Sequence, residues 1–157
     1  MSDSSIPTLY EWCGGAEAIE RLTTVFYRRV LADEVLGPIF AGMSPEHPKH
    51  VALWLGEVFG GPKTYTQDLG GYAHMLSKHI NLMLTEDQRA RWVQLIGSSA
   101  DEADLPSDPE FRSAFIAYIE WGTRLALANS QTGAKPPLQA PVPRWGWGEA
   151  PPYTPNK

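Results

Sequence analysis

The sequence predicts an all-α protein, and three observations carry that expectation. Apolar residues recur at three- and four-residue spacing through four long segments. Capping residues stand in front of several of those segments, with proline at the first helical position in the last of them. Nowhere does the chain alternate apolar and polar residues as a half-buried strand would.

The elements are read in chain order. After a short "TLYEW" segment, Gly14-Gly15 breaks the chain. In "AEAIERLTTVFYRRVLAD", Ile19, Leu22, Phe26 and Val30 make one apolar stripe, with Glu and Arg on the other side. Gly37-Pro38 is expected to end the short segment after that helix. "SPEHPKHVALWLGEVF" predicts a helix capped by Ser44, with Pro45 in its first turn and Val51, Leu55 and Val58 on one face. Gly60-Gly61-Pro62 stops it. Tyr65 to Gly71 is expected as loop, and Tyr72 to Lys78 as a short helical turn. Thr85 with Gln88 forms a capping box for the next helix. Asp108-Pro109 opens the last one, with Phe111, Phe115 and Ile119 on its stripe.

From Ser130 onward the composition changes. Pro136, Pro137, Pro141, Pro143, Pro151, Pro152 and Pro155 supply half of the 14 prolines, interrupted by "RWGWG". Such a segment favours extended polyproline II structure. It reads either as a disordered tail or as a strap held by Trp145 and Trp147, since tryptophans are unusual in a plain linker. The division expected is an N-terminal tail over 1–8, a helical domain over 9–129 and a Pro/Trp-rich extension over 130–157.

Composition excludes several classes of function. A net charge of −5, with no local run of Lys and Arg, argues against nucleic acid as partner. One cysteine, Cys13, allows neither an internal disulfide nor a Cys-based zinc site. No 18-residue apolar run predicts a membrane span, and "MSDSSIPTLYEW" lacks the pattern of a secretory signal. A reduced, cytoplasmic setting is the expectation. There is no GxSxG and no P-loop.

The histidines are the remaining candidates for chemistry. His47 and His50 are three apart and share a helix face, which would suit two solvated side chains better than a metal site lacking other ligands. Trp54, Trp92 and Trp121 read as core. His79 stands apart. It comes after a short turn and Lys78, and precedes the apolar Ile80, Leu82, Met83 and Leu84. A satisfied core histidine is the bland reading. An iron porphyrin would also suit it, because it wants apolar packing on its faces, one neutral imidazole on iron, and cations near its propionates.

Taken together, "CGG" before the second helix, "VFYRRV", "FGGPKTY", "KHINL" and a tryptophan thirteen residues after His79 resemble the group II truncated haemoglobins. The resemblance runs from about Leu9 to about Leu127. It implies a globin-like, truncated 2-on-2 helical sandwich, here with a Pro-rich C-terminal extension, holding haem b on His79. It places Lys78, Tyr65 and His50 near the propionates, and Phe40, Met75 and Leu84 among the haem contacts. Tyr27, His47, Val51 and Trp92 fall on the distal side, where Tyr27, His47 and Trp92 are the hydrogen-bond donors for a ligand. Where the family has "GHPRLR", this chain has "GYAHML", which changes the turn before His79. His47 replaces a small residue common in the group, so it either contacts the ligand, binds the iron itself or gates the pocket.

The function implied is reversible binding of O2, CO and NO with slow O2 release. The alternative is a haem redox enzyme, turning over NO as a dioxygenase or reducing peroxide. Either way an electron-donating reductase is the implied partner, and a homodimer is the assembly expected of the group.

Overall fold

The computed structural model describes residues 6–152, and every described element is helical. The expectations for residues 1–5 and for Pro155 lie outside that span. Seven α-helices and one π-helical turn are described. They are α1 (Leu9–Cys13), α2 (Gly15–Ala32), α3 (Gly37–Phe40), α4 (His47–Val58), the π turn (Tyr65–Leu69), α5 (Gly71–Ser77), α6 (Glu86–Glu102) and α7 (Pro109–Asn129). The helix α2 packs on α4 and also on α6, and α6 packs on α7, so two helix pairs lie one over the other. No described helix is long and apolar enough to cross a membrane.

Burial makes these pairs, and the stripes read from the sequence are the buried faces. Ile19, Leu22, Phe26 and Val30 of α2 are buried, as are Phe111, Phe115 and Ile119 of α7. Each such side chain contributes about 1.5–3 kcal/mol by leaving water. The capping boxes fix where the helices begin. Gln88 N–H donates to Thr85 Oγ1 (3.1 Å) and Thr85 N–H to Gln88 Oε1 (2.9 Å). Asp108 takes the Phe111 N–H at 2.9 Å and also the Trp12 indole N–H at 3.0 Å, which ties α1 to α7. A further capping box, Thr8 with Glu11, starts α1.

Four local expectations need correction. Gly37-Pro38 begins the short α3 instead of ending a segment. The Asp33 carboxylate explains this: it accepts from Val35 and Leu36 N–H (3.0 Å each) and pairs with Arg91 at 2.6 Å, building the turn that launches α3. The next helix starts at His47, not after Ser44, because Ser44 Oγ accepts from Glu46 N–H (3.1 Å) in a local turn. Residues 65–69 are a π-helical turn and not open loop. The buried Glu57 carboxylate holds it by accepting the Thr66 N–H at 2.9 Å and the Thr66 hydroxyl. Finally, Trp54 is buried and Trp92 partly so, but Trp121 is 43% exposed and is not a core residue.

The proline-rich extension lies on the helices. Val142 is buried. Trp145 N–H donates to Val58 O (2.8 Å), and the Trp147 indole N–H to Pro7 O (2.8 Å). Trp145 packs on Tyr118 and Trp121, and Trp147 on Trp12. Of the two sequence readings, described residues 130–152 take the strap.

Candidate functional site

A cavity of about 530 Å3 opens between the helix pairs. That is an ordinary size for a cofactor pocket. From α2 comes Tyr27, and from α3 comes Phe40. From α4 come His47, His50 and Val51, and the π turn adds Tyr65. The helix α5 and the loop after it bring Met75, Lys78, His79 and Leu84, and α6 brings Trp92. Every site residue expected from the sequence therefore borders one space. Sequence reasoning missed Trp54, Tyr72, His74, Tyr118 and Trp121, which also line it. It missed the extension too: Pro137, Pro141 and Pro143 form part of the wall, and only the "RWGWG" tryptophans hinted that this segment docks at all.

His79 is held in one tautomer. Its Nδ1 lies 2.9 Å from the Met75 carbonyl, which can only accept, so Nδ1 carries the hydrogen. Burial holds this imidazole below the ordinary histidine range, against the raising effect of the Met75 bond, so it is neutral at pH 7. The lone pair is therefore on Nε2, which has no hydrogen-bond partner among the described residues. A neutral imidazole fixed through its other nitrogen to a carbonyl is the usual arrangement of a metal-ligating histidine. The loop after it is pinned as well. Asn81 and Met83 sit at positive φ (63° and 56°), and Met83 and Leu84 N–H donate to the Ser130 carbonyl and hydroxyl at 2.9 and 3.0 Å.

Among the donor candidates the structure separates one from two. Tyr27 Oη and His47 Nε2 are 3.0 Å apart. Burial pushes the Tyr27 phenol up. His47 lies below the ordinary histidine range, first through burial, then through the charges of His50, His79 and Lys78. At neutral pH Tyr27 is thus the donor and His47 the acceptor, and each occupies the other. The Trp92 indole, packed edge-on against Phe26 at 4.7 Å, has no partner among the described residues and stays available to the cavity.

The residues present fit a haem. The lining is mainly apolar and aromatic, His79 offers a bare Nε2, and the half-buried His50 and exposed Lys78 stand at its border as N–H donors for carboxylates. Among the described residues no three His, Cys, Asp or Glu side chains converge as a metal cluster would require.

Comparison with known proteins points the same way. The family described as bacterial-like globin matches residues 8–120. A group 1 truncated haemoglobin from a Nostoc species (strain MUN 8820) is 41% identical over 59 residues, 37% of this chain and 50% of that protein. The chain thus spans about half the length of the Nostoc relatives it matches. A group 2 truncated haemoglobin from Bacillus subtilis is 26% identical over 110 residues, covering 70% of this chain and 81% of that one. The group II truncated haemoglobin of Bacillus anthracis, solved by crystallography, shares the fold with a TM-score of 0.70 at 23% identity, over 81% of this chain and 96% of that chain.

Proposed function

This chain belongs to the bacterial-like globin family, and we propose that it is a haem protein that binds O2, CO and NO at an iron held by His79, with slow release of O2. The observation that carries the reading is His79 itself, with Nδ1 bonded to Met75 O and Nε2 unpartnered toward the cavity. The iron, when bound, supplies reversible coordination of a diatomic gas. Cys13 is buried in the core away from the cavity, so no thioether link to the porphyrin is available, and haem b is the form expected. Lys78, His50 and Tyr65 would meet its carboxylates, and Phe40 its face.

Slow release rests on the free Trp92 indole. A hydrogen bond to a ligand bearing partial negative charge is worth about 1.5–3 kcal/mol, roughly ten- to a hundredfold in affinity. Trp92→Phe should therefore raise the O2 off-rate by about that factor, read by stopped-flow mixing of the oxygenated protein with CO. Equal rates in both proteins would remove the indole as donor and the slow-release reading with it.

The Tyr27–His47 pair adds a pH dependence. Above the depressed His47 pKa, the Tyr27 proton is held by Nε2. As pH falls below about 6.5, the ordinary histidine value, and reaches that pKa, Nε2 becomes the donor and the Tyr27 proton turns free for a ligand. O2 release should slow on acidification, and His47→Leu should show the slow rate at every pH. Stability runs the other way. The unfolded chain takes the His47 proton first, so this group's contribution is present above pH 6.5 and is lost as pH falls toward its folded pKa. A wild-type off-rate that is flat or rising toward acid would show that Tyr27 is no latent donor.

A further inference from the structure

A file of oxidisable rings joins the cavity to the surface, and its outer end, Trp145, both straps the extension onto the helices and opens into an external groove. Trp54 borders the cavity, and its indole N–H donates to the Tyr118 hydroxyl at 2.8 Å. The Tyr118 ring lies 5.4 Å from Trp145, centre to centre, and Trp145 lies 5.6 Å from Trp121. These separations are those of rings in contact. Trp145 is half-buried and opens into a groove of about 430 Å3 on the outside of the molecule, flanked by Trp147, Phe59 and Arg144. Trp145 does not border the cavity, so the file runs through the protein wall from one space to the other.

We propose that Trp54, Tyr118 and Trp145 conduct single electrons inward from a phenolic donor in that groove to the haem cavity, where a hydroperoxide is reduced. The proposal rests on the haem reading above. In balance, H2O2 and two phenols give two waters and two phenoxyl radicals. The O–O bond breaks, each phenol loses one electron through the ring file and one proton to solvent, and two protons enter the cavity from water. The occupant of the groove is a phenol bearing a carboxylate. Trp145 and Trp147 offer aromatic faces, and Arg144, exposed and without an ion pair among the described residues, offers the charge.

The chemistry of the rings sets the direction. Tryptophan and tyrosine are the side chains most easily oxidised by one electron. The Tyr118 hydroxyl accepts from Trp54 and has no acceptor of its own among the described residues, so the phenol keeps its proton, is not itself oxidised, and serves as the hydrogen-bonded bridge across which an electron passes between the two indoles. Trp145 is half-buried and borders the groove, so an oxidised indole there can pass its proton to solvent. The oxidising equivalent therefore comes to rest on the contacting indoles Trp121 and Trp145, and of the two Trp145 borders the groove.

The test uses the haem-loaded full chain, hydrogen peroxide and 4-hydroxyphenylacetate as the probe phenol. Radicals are located by spin trapping and peptide mapping after rapid quenching. The trapped adduct should map to Trp145, and Trp145→Phe should lose it and oxidise the phenol at least about tenfold more slowly, with its CO-shifted Soret band unchanged. Tyr118→Phe keeps the ring and its packing on Trp145 while removing the hydrogen-bonded link to Trp54, so it should lower both the Trp145 adduct and the phenol turnover. Adducts confined to other rings, or unchanged phenol turnover in both variants, would overturn the conduit while leaving the haem reading intact. A chain that takes up no haem would overturn both.

Discussion

His79→Ala should leave a helical chain with no CO-responsive Soret band. The side chain is half-buried and its one bond is to the carbonyl of Met75, so truncation removes little packing. What goes is the bare imidazole nitrogen fixed in the cavity. His47 is engaged by Tyr27, and the His74 ring packs against Tyr65 at 5.9 Å between ring centres. His79→Gly should recover the band when free imidazole is supplied, because the space and the carbonyl are both kept. Circular dichroism on the same samples separates loss of haem from loss of fold. A full-intensity band in His79→Ala would move the anchor to another histidine, and with it the whole assignment of sides.

The parts of this site that the sequence made legible are those carried by single residues in fixed local settings. His79, Lys78 and Met75 belong to one turn and the loop after it, and the capping of α6 by Thr85 and Gln88 places Trp92 in register. The Tyr27–His47 bond was not legible, because it depends on how α2 crosses α4, which no local pattern states. The same holds for the extension. Polyproline composition predicts an extended chain but not which wall it meets, and the Trp145 bond to Val58 O joins residues far apart in sequence. The misplaced start of α4 has a different cause. Ser44 has a capper's chemistry, but its hydroxyl is taken up by a turn, and Pro48 can occupy the first turn of a helix that begins at His47.

The same limit applies to the donor candidates. Tyr27, His47 and Trp92 are equivalent as residue types, and a sequence reading credits all three. Tyr27 is buried and His47 half-buried, and leaving the buried hydroxyl unpaired would cost about 1–3 kcal/mol, so the two satisfy one another. Trp92, packed on the Phe26 ring, has no such partner among the described residues. On the proposed reading, one indole at neutral pH and an additional phenol below it would be the donors to a ligand.

Two glycines should respond to alanine with opposite signs, and the contrast tests the packing that places the distal side of the cavity. A Cβ on Gly61 would stand 2.6 Å from Tyr10 Cδ1 and 2.8 Å from the Gly56 carbonyl oxygen. Neither can yield easily. The Tyr10 ring lies where a Cβ on Gly56 would also meet it, at 3.3 Å, and Tyr10 N–H is bonded to Phe59 O at 2.8 Å, while the Gly56 carbonyl accepts the Gly61 N–H at the end of α4. Gly61→Ala should therefore cost about 3 kcal/mol, the upper end of ordinary overpacking, and lower the urea midpoint accordingly. Gly97 lies inside α6, and a Cβ there meets nothing within 4 Å. Gly97→Ala should stabilise by about 0.5–1 kcal/mol through helix propensity alone. Because α4 carries His47, His50 and Val51, the Gly61 variant should also blunt the pH dependence of O2 release in whatever fraction remains folded, whereas the Gly97 variant should leave it unchanged. A Gly61→Ala chain as stable as wild type would mean that Tyr10 moves freely, and that the end of α4 is not fixed by the glycine pair.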